Sequence, residues 1–147
     1  MVTVIQRCIS ANVKIKNKII AEIDQGAVIL LGIVEGDQFE DADYIANKFA
    51  MLRIYNDHNN KMNLSIKEIK GSVLVISQFT LCASLDKGRR PSFLNAASPS
   101  VGEELYQYFI STLIENNIQV KTGKFGADMD VELINQGPAT FILDSKS

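Results

Sequence analysis

The segment 73–81, VLVISQFTL, constrains the fold of this chain more than any other stretch. Its first four residues are apolar and mostly β-branched, which is typical of a strand that is buried on both faces. Its polar residues, Ser77, Gln78 and Thr80, lie together near the C-terminal end. Because an unpaired buried polar group costs roughly 1–3 kcal/mol, these side chains either pair with neighbours at the strand end or face a cavity.

The composition limits the class of protein. A chain of 147 residues with 46% hydrophobic content is long enough for one domain with a substantial core, and we assign residues 1–147 to that single domain. A net charge of −2 argues against a surface that binds nucleic acid nonspecifically, so any RNA contact must be local. No apolar run approaches the ~18 residues of a membrane span, and the N-terminus lacks a signal peptide. We therefore expect a soluble, cytoplasmic protein without a membrane partner.

Hydrophobic patterns predict strands, a helix, more strands, a second helix and final strands. The strands are predicted at residues 2–9, 12–16, 19–24, 27–34, 73–81, 118–122, 129–134 and 139–143. Capping boxes at Asp37 with Glu40 and at Ser100 with Glu103 predict the starts of the two helices. This order indicates an α/β domain with helices packed on a mixed sheet.

Few residues offer the usual catalytic or metal-binding chemistry. The only histidine, His58, lies in an Asn-rich loop that is typical of an exposed turn, and one His with two Cys cannot assemble the usual zinc sites. Cys8 and Cys82 lie in apolar segments, as expected for core thiols in a reducing compartment. No carboxylate cluster indicates magnesium, and residues 123–126 lack the spacing of a phosphate loop. We expect no metal and no cofactor.

One loop concentrates positive charge. Lys87, Arg89 and Arg90 surround Gly88 within the polar segment 86–98, which has no periodic pattern. A solvated loop and a loop that contacts phosphates beside the central strand explain the charges equally well.

Two separated motifs resemble a known family. SQFTL at 77–81, taken with NQGPAT at 135–140, is similar to the paired signature of the D-aminoacyl-tRNA deacylases (DTD-like proteins). Further segments agree in the same order: Gln6-Arg7, 61–65, 88–93 and 123–129. The resemblance covers essentially the whole chain. It implies a homodimer with a three-layer α/β/β fold, which hydrolyses D-aminoacyl-tRNA, and glycine mischarged on tRNA as well, in translation proofreading.

The substrate implied by the resemblance needs little from catalytic side chains. An aminoacyl ester is already activated, and its vicinal 2′-hydroxyl can assist, so the protein must chiefly stabilise the oxyanion. We take the N–H groups of Phe79 and Thr80 as candidates, with Gln78 and Ser77 holding the pocket and the adenosine end. Thr80 is alternatively a nucleophile, although the local sequence offers no base to activate its hydroxyl.

The second motif implies a filter for chirality. By the resemblance, Gly137-Pro138 is a cis pair whose carbonyls enter the partner subunit's active site, bind the amino group and exclude an L side chain by clash. A plain trans turn is the alternative, since only about 5–6% of X-Pro bonds are cis. Arg7 is implied to brace the motif, or else points to the surface. Met129 and Phe125 either line the pocket or belong to the core.

Two other classes of function remain open. One is a nucleic-acid-binding module of the same fold without catalysis, against which the low basicity counts. The other is a small-molecule hydrolase of free D-amino-acid derivatives, which would need no basic loop beside its site. Replacing the loop cations together separates these possibilities, because only RNA binding depends on them.

Overall fold

A single long strand, β1 (Val2–Ile15), is the strand on which the sheet is built. In this computed structural model, which describes residues 1–147, β1 runs without interruption through Ser10 and Ala11, where the sequence predicts a break. The reason is tertiary: both residues pair with Ile134 and Leu133 of the last strand. The neighbouring strand therefore holds the segment extended despite its weak local signal.

The sheet is mixed, as the sequence predicts. One edge of β1 pairs antiparallel with β2 (Lys18–Ile23) and then with β3 (Gly26–Gly32). β3 continues in parallel to β6 (Ser72–Ser77), and β6 in parallel to β7 (Gln119–Thr122). The last strand, β8 (Asp130–Asp144), pairs antiparallel with β1. The predicted strands at 129–134 and 139–143 are thus one strand that bulges in the middle.

Two helices cover the sheet and contact each other. α1 (Phe39–Met51) buries Ala42, Ile45, Ala46, Phe49 and Ala50. α2 (Pro99–Glu115) contacts the sheet through Tyr106, whose hydroxyl donates a hydrogen bond to the Val75 carbonyl at 3.0 Å. These apolar faces form one core cluster with β3 and β6. Between the helices, β4 (Tyr55–Asn56) and β5 (Met62–Leu64) make a small ribbon.

Both helix starts differ from the sequence prediction. The capping box of α1 is formed by Gln38 and Asp41, because Asp37 is buried and pairs with the Met1 ammonium at 2.7 Å instead. α2 begins one residue before Ser100 and has Ser98 at its N-cap, and Pro99 occupies the first turn, where a missing N–H is tolerated. At α1 a long-range partner thus takes the side chain that the sequence assigns to the cap, whereas at α2 the proline at position 99 sets the start of the helix.

The remaining chemical candidates lie where the sequence places them. His58 is exposed in the turn between β4 and β5. Cys8 and Cys82 are buried free thiols, and burial raises the pKa of Cys8 to about 11. None of the helices has the length and apolar character needed to cross a bilayer.

Candidate active site

The central strand ends earlier than the sequence predicts. β6 stops at Ser77, and residues Phe79–Cys82 form a 3-10 helix, so Thr80 lies on a turn and not on a strand. The last ladder bond is from the Gln78 N–H to the Leu31 carbonyl, at 2.8 Å. β7 pairs only with residues 72–75 of β6, so the chain is free to turn once this bond is made. The turn brings consecutive backbone amides to the end of the strand.

A cavity of about 480 Å³ opens at this strand end. Ser77, Gln78 and Phe79 form one wall of it. Other lining residues come from the start of α2 and from the segment before β8. Its apolar lining consists mainly of Leu31, Ile33, Ile76, Phe125, Met129 and Val131. The polar strand-end residues of the sequence motif therefore face a largely apolar cavity.

The turn leaves two backbone amides without an acceptor in its own helix. Phe79 and Thr80 are the first two residues of the 3-10 helix, so their N–H groups have no acceptor within it. Thr80 itself is not among the lining residues, and its hydroxyl accepts a hydrogen bond from the Gln78 amide. No carboxylate, histidine or lysine bonds to this hydroxyl. The geometry thus offers main-chain donors and no activated nucleophile.

Met129 and Phe125 line the cavity and are also held by neighbouring elements. The Met129 sulfur accepts the Lys124 N–H at 3.4 Å, and a Cβ at Gly123 would lie 2.6 Å from that sulfur. Phe125 packs on Tyr106 of α2 with ring centroids 5.5 Å apart. The sequence left open whether these residues line the pocket or belong to the core. Both are true, because each residue packs on neighbouring elements and also borders the cavity.

The second motif forms a separate, braced bulge. The Gly137-Pro138 bond is cis, so the trans alternative is wrong. Around it the pairing of β1 with β8 slips between Gln6 and Ser10. Arg7 is only 5% exposed, which excludes the surface alternative for this side chain. Its Nε donates a hydrogen bond at 3.0 Å to the carbonyl of Gln136, the residue that precedes Gly137 in the chain.

Arg7 also ties the bulge to the segment after α1. Its Nη1 donates to the Ile54 carbonyl at 2.8 Å and to Asn56 Oδ1 at 3.2 Å. Gly137 has a φ of +122°, and a Cβ built on it would lie 2.6 Å from Arg7 Nη2. Glycine fits this position because L residues rarely adopt its φ, and a Cβ would in addition displace a guanidinium that is held by hydrogen bonds.

The structure does not bring the two motifs together within one chain. Gly137 and Pro138 are exposed, and neither they nor Arg7 line the cavity. Lys87, Arg89 and Arg90 are likewise exposed and outside the lining, at the tip of a loop that follows the 3-10 helix. Two backbone bonds between Ser84 and Ser92 close this loop.

Sequence reasoning missed one wall of the cavity. Ser98, Pro99 and Gly102 at the start of α2 border it, as does the segment 126–128. Gly102 is buried on a helical face whose other members are large, with Phe125 as the nearest side chain to its missing Cβ. A glycine at an apolar position of a helix was the available signal for a close approach.

The family model and the most similar relatives indicate the same family for this chain. A family model described as D-Tyr-tRNA(Tyr) deacylase matches residues 4–144. A protein of Persephonella marina named D-aminoacyl-tRNA deacylase is 53% identical over 147 residues, which are 100% of this chain and 99% of the relative. A protein of the same name from Thermosipho melanesiensis is 49% identical and covers 99% of this chain and 98% of its own.

Two solved structures share the fold. One is described as a c-Myc DNA Unwinding Element Binding Protein, with a TM-score of 0.91, 32% identity and 98% coverage of both chains. The other is described as a probable eukaryotic D-amino acid tRNA deacylase, with a TM-score of 0.85 and 16% identity, covering 97% of this chain and 98% of that one. The second likeness concerns the fold alone.

Proposed function

Because this chain belongs to the D-aminoacyl-tRNA deacylase family, we propose that it hydrolyses the ester bond of D-aminoacyl-tRNA in the cytoplasm, releasing a free D-amino acid and tRNA. One observation carries the proposal for the site. Ser77, Gln78 and Phe79 of the motif at 77–81 border a largely apolar cavity, and the 3-10 helix that begins at Phe79 leaves the N–H groups of Phe79 and Thr80 without helical acceptors. Such donors are what an ester hydrolase needs for a developing oxyanion.

The reaction we propose uses main-chain groups and the substrate itself. Water adds to the ester carbonyl carbon, the carbonyl oxygen becomes an oxyanion, and the N–H groups of Phe79 and Thr80 donate to it. The ribose 3′-oxygen then leaves with a proton, assisted by the vicinal 2′-hydroxyl. Ser77 and Gln78 border the adenosine side, while Phe125 and Met129 limit access of solvent. No side-chain nucleophile, metal or cofactor enters this scheme.

Chiral selection in this proposal needs a second subunit. Gly137 and Pro138 lie outside their own chain's cavity and are exposed, so a site that uses their carbonyls is incomplete in one chain. In a homodimer with a three-layer α/β/β arrangement, these carbonyls accept hydrogen bonds from the substrate's α-ammonium in the partner's cavity. An L side chain would clash with the main chain there, a D side chain points outward, and glycine is accepted. Arg7 holds the bulge in place.

The direct test is single-turnover deacylation of matched D- and L-tyrosyl-tRNA with a chelator present. We expect rapid loss of the D ester and an L ester that decays only as fast as in buffer. Equal hydrolysis of both esters would contradict the chiral filter. If neither ester is consumed faster than in buffer, the catalytic proposal fails.

The cationic loop provides a prediction about RNA. Replacing Lys87, Arg89 and Arg90 together by alanine is expected to weaken tRNA binding and to lower its salt dependence, by about 0.7 in slope for each single-strand phosphate that the loop no longer neutralises. The measurement is the binding constant for tRNA across a salt series. Alanine at the exposed Lys18, Lys48 and Lys67, on other elements, makes the same change in charge and serves as control. If the two triple variants weaken tRNA binding equally, the loop contributes only through the net charge of the protein and not through local contacts with phosphates.

A second candidate function is a nucleic-acid-binding module without catalysis. The structural likeness to the c-Myc DNA Unwinding Element Binding Protein, at 32% identity, favours it over the small-molecule hydrolase. This alternative requires tRNA binding that depends on the loop cations together with no hydrolysis. A small-molecule hydrolase requires the opposite, hydrolysis of free D-amino-acid esters that is indifferent to the loop.

A further inference from the structure

Two phenyl rings lie exposed beside the cavity. Phe79 and Phe93 have ring centroids 4.9 Å apart with an interplanar angle of 50°, and 59% and 40% of these residues remain accessible. Phe79 also borders the cavity. An exposed pair of aromatic side chains next to a cavity is unfavourable for an unbound surface and is typical of a recognition site.

The backbone holds Phe93 on both sides. Before it, the Ser84 and Ser92 backbones exchange two hydrogen bonds of 2.9 and 3.0 Å. After it, the Glu35 N–H donates to the Asn95 carbonyl at 2.8 Å, which ties the segment to the residues that follow β3. Phe79 is fixed by the 3-10 helix. The ring pair is therefore a part of the fold and not the product of a loose loop.

Three cationic side chains without ion-pair partners lie in the loop that precedes Phe93. Lys87, Arg89 and Arg90 belong to residues 85–91, between the paired serines that precede Phe93, and none of them forms an ion pair. The loop's only carboxylate, Asp86, accepts a hydrogen bond from Ser84 Oγ at 3.0 Å. Aromatic faces beside free cations complement a ligand that carries both flat bases and phosphates, which is single-stranded nucleic acid.

Resting on the proposed function, we propose that Phe79 and Phe93 form a stacking platform for the base of the nucleotide immediately 5′ of the aminoacylated adenosine. The terminal nucleotide enters the cavity, whose wall includes Phe79, and the preceding base rests on the adjoining ring pair. The loop cations then face the phosphates of this single-stranded end. Because every base has a π-face, such a platform accepts tRNAs without regard to the identity of the base.

The test measures binding without turnover. The probe is an uncharged RNA minihelix that ends in single-stranded CCA, and Phe93→Ala should bind it roughly 5- to 150-fold more weakly, the range that corresponds to loss of one base–aromatic stack. Phe93→Tyr should restore the affinity because it keeps the ring. Leu94→Ala is the matched control, since Leu94 is 86% exposed and adjacent but has no ring. Equal binding by the wild type and Phe93→Ala would overturn the platform.

A second RNA identifies which base is stacked. In a minihelix with an abasic residue at the penultimate position, the wild type and Phe93→Ala should bind with the same affinity. If Phe93→Ala loses as much on the abasic RNA as on the intact one, or if the wild type binds both RNAs equally, the assignment is wrong. Failure of the wild type to bind the intact minihelix also overturns it.

Hydrolysis separates this inference from the function on which it rests. Phe93→Ala should lose more in kcat/KM on D-tyrosyl-tRNA than on 3′-O-D-tyrosyl-adenosine, which lacks the penultimate nucleotide. An equal loss on both would mean that Phe93 only shapes the cavity. If the wild type hydrolyses neither substrate but binds the minihelix through Phe93, the proposed catalysis fails and the platform stands.

Discussion

Proline at position 79 should lower the single-turnover rate on D-tyrosyl-tRNA roughly 10²–10³-fold below that of Phe79→Ala, the usual cost of one oxyanion donor. Both variants lack the ring, so their difference isolates the Phe79 N–H. Proline is tolerated in the first turn of a helix, and Gln78 before it, at a φ of −139° and a ψ of 73°, lies outside the α region that a following proline disfavours. The measurement is the single-turnover rate constant, with thermal unfolding as a check on the fold.

Thr80→Ala provides the complementary control for this site. The Thr80 hydroxyl is bonded only to the Gln78 amide, so its removal should cost about tenfold at most, the value of one neutral hydrogen bond. If Thr80→Ala abolishes turnover while Phe79→Pro matches Phe79→Ala, the main-chain oxyanion hole is wrong. The hydroxyl would then be the nucleophile.

Gly137→Ala should impair both folding and chiral deacylation. Alanine at a φ of +122° is strained by about 1–3 kcal/mol, and its Cβ would also lie 2.6 Å from Arg7 Nη2. The guanidinium must then move away from the Gln136 and Ile54 carbonyls. Since a displacement of about 1 Å in a positioning group costs roughly 10²-fold in rate, we expect a loss of that order in kcat/KM on D-tyrosyl-tRNA.

Gly36→Ala is the matched control, because Gly36 has a φ of +84° but no atom within 4 Å of its missing Cβ. It carries the backbone strain alone. Urea unfolding should therefore show a larger loss of stability for Gly137→Ala than for Gly36→Ala, and only the former should lower deacylation. If the two substitutions have equal effects on stability and on deacylation, the contact between Arg7 and Gly137 does not cause the losses.

The cavity itself shows why part of the site escapes prediction from sequence. Ser77 and Gln78 stand out as polar residues at the end of an apolar strand, and they do border a cavity together with Phe79. The turn at Phe79–Cys82 does not stand out, because its apolar residues continue the pattern of a strand. The wall from α2 is equally hidden, because Ser98, Pro99 and Gly102 carry only the signature of a helix start.

The sequence by itself determined the elements that repeat a local pattern and the family. Buried strands and amphipathic helices are encoded in consecutive residues, and the two motifs are contiguous, so both are readable without a structure. Tertiary structure decided everything that depends on a distant partner. Pairing with β8 keeps β1 extended through Ser10. The Met1 ammonium pairs with Asp37, which therefore does not cap the helix. Arg7 contacts Gly137, which is far away in the sequence. Such pairs lie far apart along the chain, and local propensity carries no information about which distant group will satisfy a buried charge or hydrogen bond.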